Sequence, residues 1–108
     1  MIQQLISQKG PLPITASFTA KAEDLVGFYV AGSAWTKNPN QSIGVQVLLD
    51  GQSLGFIWVY ANEAQSHKTL MAKLLPVDVE HGQHEVKLVA WEGTVSDSND
   101  YFIVQIII

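Results

Sequence analysis

The chain has no cysteine, which excludes disulfides and thiolate metal sites and leaves the compartment open, since extracellular domains without disulfides are ordinary. Charge is scarce as well. Asp, Glu, Lys and Arg make up 15% of the residues, against an average of about 25% for soluble domains. Only six residues are Lys or Arg against ten Asp or Glu, giving a net charge of −4. Phosphate recognition depends on clustered cations, so nucleic acid is excluded as a partner, and an anionic membrane surface is disfavoured for the same reason. No apolar run approaches the ~20 residues of a spanning helix, which excludes membrane insertion by helices. Met1 to Lys9 lacks the basic start and long apolar region of a secretory signal. The expectation is a cytoplasmic chain, or one exported by a non-classical route.

Hydrophobic residues are abundant, at 47% of 108. That length makes one domain with one core. With so little charge to cover its surface, the folded chain is expected to keep apolar area for a subunit interface.

The strongest local signal lies between Ser42 and Tyr60, where Asp50-Gly51 separates two alternating apolar runs and predicts a β-hairpin. A two-residue turn pairs Leu49 with Gln52, Val47 with Leu54, Val45 with Phe56 and Ile43 with Trp58. A four-residue loop pairs Leu49 with Leu54, Val47 with Phe56 and Val45 with Trp58. Both registers put the same set on one buried face, and Trp58 is accordingly assigned to packing.

Elsewhere the alternation predicts strands over 14–20, 25–35 and 84–91, with 25–35 apolar on both sides and therefore central in its sheet or against a neighbouring subunit. Residues 1–13 read as an edge strand or N-terminal arm that breaks at Gly10-Pro11-Leu12-Pro13. His67 to Leu75 fits helix or strand, and its strand neighbours favour strand. Pro76 to Gln83 reads as a loop. Polar loops follow at 36–41, 61–66 and 92–100. Tyr101 to Ile108 is apolar on both faces and would be an aggregation site if exposed, so it must be covered within the domain or by another copy. About seven short strands separated by turns predict an all-β fold, a single-domain antiparallel β-sandwich or jelly roll.

A Gly27-Phe28-Tyr29-Val30-Ala31 strand precedes the Asp-Gly hairpin. A glycine turn then leads into Gly82-Gln83-His84-Glu85-Val86-Lys87-Leu88, and Tyr101-Phe102-Ile103-Val104 closes the chain. Over residues 14–108 this order resembles the tumour-necrosis-factor-like jelly roll of complement globular heads. The resemblance implies a homotrimer formed through the inner sheet and, from the superfamily's bacterial lectins, a sugar ligand.

Catalysis finds little support. Ser66, His67 and scattered aspartates supply triad residue types without a nucleophile elbow, and His81 and His84 flank a turn that gives them no reason to converge on zinc. Asp97, Asn99 and Asp100 carry closely spaced oxygens that suit calcium, although the same residues cap turns. Trp35 with Lys37, Asn38 and Asn40, Tyr60 with Asn62 and Glu63, and Trp91 before the third polar loop each combine an aromatic ring with polar neighbours. An exposed ring stacks on a pyranose while amides bond its hydroxyls. The sequence is thus read as a non-enzymatic, oligomeric carbohydrate-binding sandwich, with a structural or oligomerisation domain of a larger assembly as the alternative.

Overall fold

A computed structural model describes residues 1–108. Nine strands follow in order: β1 (Ile2–Lys9), β2 (Ile14–Ala20), β3 (Asp24–Ala34), β4 (Gln41–Leu49), β5 (Gln52–Ala61), β6 (Lys68–Thr69), β7 (Lys73–Val79), β8 (Gly82–Ala90) and β9 (Tyr101–Ile107). They form two antiparallel sheets. One runs β1-β9-β3, with β7 along Asp24 to Val30 of β3 and β6 along Ser33 and Ala34; the other runs β2-β8-β4-β5. Between them lies a single core that includes Phe28, Phe102, Ile43, Ile57, Leu88 and Val104.

Two expectations about the chain's ends meet different outcomes. β1 is an edge strand paired to β9, and the ladder stops at the Gly10–Pro13 break. β9, however, is central: it pairs with β1 on one side and β3 on the other, and sends Phe102, Val104 and Ile106 into the core. Its backbone edges are filled within one chain. The cover that the terminal strand needs is supplied inside the protomer, and the ground it gave for a homotrimer falls with it. At the end of this sheet the termini meet, with the Met1 ammonium donating to the Ile108 carbonyl at 2.8 Å and the Ile108 N–H to the Met1 carbonyl at 2.9 Å.

Residues 67–75 are extended rather than helical, but in two pieces, with buried Leu70 between β6 and β7. The segment expected to be a loop from Pro76 is instead the continuation of β7 to Val79. Proline is tolerated there because β7 is an edge strand, paired with β3 alone.

The hairpin has the expected two-residue turn, with Asp50 and Gly51 at φ of 51° and 84° and Leu49 opposite Gln52. The register beyond it does not follow. Leu48 pairs with Ser53 but Val47 pairs with Gly55, so Leu54 is an extra residue in a β-bulge. A one-residue slip turns every later side chain to the other face of the sheet. Ile57, Val59 and Ala61 therefore face the core, and Phe56, Trp58 and Tyr60 face outward. The assignment of Trp58 to packing is corrected: it is 44% exposed.

Candidate functional site

The bulge builds a site on the outer face of the four-stranded sheet. Phe56, Trp58 and Tyr60 stand in a row along β5, opposite Gln46, Gly44 and Ser42 of β4. Trp91, the residue after β8, flanks Gly44 from the other side, its N–H donating to the Gly44 carbonyl at 2.9 Å. These four rings are 39%, 44%, 51% and 45% exposed in sequence order, a large aromatic area for a domain of this size to leave in water. Phe56 reaches across β4 to meet Trp91, with ring centres 4.9 Å apart and planes inclined by 59°.

Gly44 is what makes the surface concave. Strand neighbours lie ~4.8 Å apart, so Trp58 and Trp91 are rooted two spacings, roughly 9.5 Å, from each other. No side chain fills the space between them. A Cβ at Gly44 would come within 2.6 Å of the Ile57 carbonyl oxygen and 3.0 Å of the Trp58 Cβ. The result is a groove of about 230 Å³ lined by Ser42, Ile43, Gly44, Phe56, Trp58 and Trp91.

The three polar loops converge at one end of the sandwich, next to this face. Trp35 forms a bridge with Val95, the Gln65 N–H donates to the Thr36 carbonyl at 2.7 Å, and the Gln41 amide donates to the Gly93 carbonyl at 3.1 Å. Buried Thr36 organises the first loop by accepting from the Gln41 amide and from the Asn38 N–H. The sequence-derived binding residues are therefore divided between two places. Tyr60 and Trp91 belong to the sheet face, whereas Lys37, Asn38, Asn40, Asn62 and Glu63 lie exposed on the end loops. Trp35 is half-buried beside them, its ring 5.9 Å from that of His67 and its indole N–H buried without a partner. Phe56 and Trp58 were missed. The signal that identifies them is Gly55, a glycine inside a strand and therefore a marker of a bulge.

His67, Asp97 and Asp100 also meet at the loop end, with one ligand atom of each within 4.8 Å of the others. Asp100 is buried and its carboxylate accepts from the Ser33 hydroxyl at 2.8 Å, the Asp97 N–H at 2.9 Å and the His67 ring at 2.7 Å. The hydrogen bond to Asp100 raises the His67 pKa above 6.5, burial opposes it, and the charges of Asp100 and Asp97 assist. Ser33 donates to Asp100 rather than to His67, so the three do not form a nucleophile–base pair. The donor set also fits calcium poorly. Six to eight oxygens are wanted, but Asp97 Oδ1 accepts the Asn99 N–H, Asp100 already holds three donors, and the third group is an imidazole nitrogen. The turn-capping role of Asp97 and Asp100 is what these bonds express.

No protein-family model and no characterised protein sequence matches the chain. Solved structures do. A family 35 carbohydrate-binding module from Clostridium thermocellum superposes with a TM-score of 0.57 at 7% identity, over 98% of this chain and 89% of that one. The CBM36-1 domain of a multidomain xylanase, from the hindgut metagenome of Trinervitermes trinervoides, gives 0.51 at 16% identity, over 98% and 94%. The fold is theirs. A β-glucosidase from Paenibacillus barengoltzii gives 0.62 at 15% identity, over 99% of this chain but 10% of the enzyme, so the chain spans about a tenth of that protein. These likenesses correct the resemblance to the tumour-necrosis-factor-like jelly roll. The residues that carried it, a Gly-x-Tyr strand, an Asp-Gly turn and a glycine before an alternating strand, are devices that any antiparallel sandwich uses to turn and pair its strands.

Proposed function

We propose that this chain is a non-catalytic carbohydrate-binding module that holds its ligand on the outer face of the four-stranded sheet. The observation that carries the proposal is the outward row of Phe56, Trp58 and Tyr60 with Trp91 across Gly44. Rings set beside a groove offer flat apolar area to the C–H faces of sugars at little conformational cost. The shared fold supports the reading, because sandwiches of this architecture include modules named for carbohydrate binding. Tyr60 and Trp91 act here as ligand residues; Trp35, Lys37, Asn38, Asn40, Asn62 and Glu63 at the end loops are not needed for it.

The test is retardation of the purified chain in gels containing soluble polysaccharides, together with a glycan array. Binding to at least one saccharide is expected, with Trp91→Ala weakening it by roughly tenfold, as a lost stacking contact of about 1.4 kcal/mol would. Failure to bind any saccharide on either platform refutes the proposal.

A further inference from the structure

We infer that the sheet-face groove takes a neutral, unbranched glycan lying along β5, and that it does so without a metal ion. This rests on the carbohydrate reading above and specifies its ligand class.

Neutrality follows from what lines the groove. Phe56, Trp58 and Trp91 form its walls, Gly44 and Ile43 its floor, and Ser42 supplies the polar side chain; none of the six carries charge. The chain has no arginine, its six basic residues are all lysine, and neither a lysine nor a histidine lines the groove. A uronate carboxylate placed between the indoles would lose water without gaining a cation or a forked guanidinium partner. The protein's net charge of −4 adds a repulsive field. A neutral pyranose pays neither cost.

An unbranched chain follows from the layout. The groove, at about 230 Å³, is below the range of ~300–1,000 Å³ typical of drug-sized ligands, so it accommodates one ring between Trp58 and Trp91. Tyr60 is the next outward residue of β5, roughly 6.8 Å beyond Trp58. It stands opposite Ser42, an exposed residue that also lines the groove. A second sugar therefore finds a ring and a hydroxyl along the strand. On the other side Phe56 closes against Trp91, which leaves no room there for a branch.

Metal independence follows from the chemistry of the lining. The six residues offer no carboxylate and no imidazole to an ion. The three-residue cluster of carboxylates and imidazole, His67 with Asp97 and Asp100, is tied into the end loops by its own hydrogen bonds.

Calorimetric titration of the full chain tests this with neutral β-linked oligosaccharides of one to four units, their uronic-acid counterparts, and EDTA. The expected outcome is affinity that rises from one unit to two, at least tenfold weaker binding of the uronic series, and no change with EDTA. Trp58→Ala is expected to weaken every neutral ligand about tenfold. Tyr60→Ala, a second exposed position, is expected to weaken the longer ligands and spare the monosaccharide. Preference for uronic acids, loss of binding in EDTA, or affinity indifferent to Trp58→Ala with Trp91→Ala equally silent overturns the inference. Should sugar binding survive both tryptophan changes and vanish in His67→Ala, the carbohydrate reading stands and this placement of it fails.

Discussion

At the level of single residues, the aspartate of the hairpin turn does more than turn the chain. Asp50 Oδ1 accepts the Glu85 N–H at 2.8 Å, and Oδ2 lies 2.6 Å from His84 Nδ1, so the hairpin tip is tied to β8. The other ring nitrogen of His84 faces the Glu80 carbonyl at 2.7 Å. Both partners are acceptors, and only the doubly protonated ring can donate to both. The hydrogen bond to Asp50 raises the His84 pKa, the Glu80 carbonyl adds to it, and burial opposes. Asp50 moves the opposite way, lowered first by His84. A raised histidine pKa contributes stability that is complete below the unfolded value of 6.5 and is lost as pH rises through the higher folded value. The lowered carboxylate contributes above 3.8, and that part is lost as pH falls through its folded value. Urea unfolding midpoints should therefore decline as pH climbs past 6.5. His84→Gln should flatten that decline in part, since the raised pKa of His67 acts in the same direction. An unchanged slope in the variant would count against the latch.

Strands teach how far sequence reasoning reaches. The alternating runs at 14–20, 25–35 and 84–91 identify β2, β3 and β8 because each keeps strict period two between one core and one outer face. The hairpin was legible in its turn and illegible in its faces. Both trial registers assumed an unbroken ladder, and Leu54 breaks it. The same bulge hid the site: with an intact ladder Trp58 is core, and with one extra residue it is surface. Loop convergence was equally invisible, since Trp35 meets Val95 and His67 meets Asp100 only once the sheets have stacked. Gly55 holds the bulge at φ 146°, where a side chain is strained by about 1–3 kcal/mol. Gly55→Val should lower the chemical-denaturation free energy by that amount. It should also reduce saccharide affinity, because the orientation of all three β5 rings depends on the bulge. Full stability and full affinity in that variant would mean that the register does not depend on the glycine.

Across the whole molecule, the burial of β9 changes what its isoleucines are for. Ile106 is 2% exposed, and truncating a well-packed core isoleucine costs about 2–5 kcal/mol. Ile106→Ala should therefore destabilise the protomer itself, with a denaturation midpoint that is independent of protein concentration; a midpoint that rises with concentration would restore an intersubunit role. The sequence foresaw that this strand must be covered but could not show that β1 and β3 would do the covering. Those pairings join residues from opposite ends of the chain, and sequence pattern alone does not choose partners at that separation. The meeting of Met1 with Ile108 has a further consequence for architecture. The first and last residues clasp each other at the Ile2–Ile107 end of the β1-β9 ladder, so that pole of the sheet is sealed by two reciprocal bonds, and fraying of either tip has to break both.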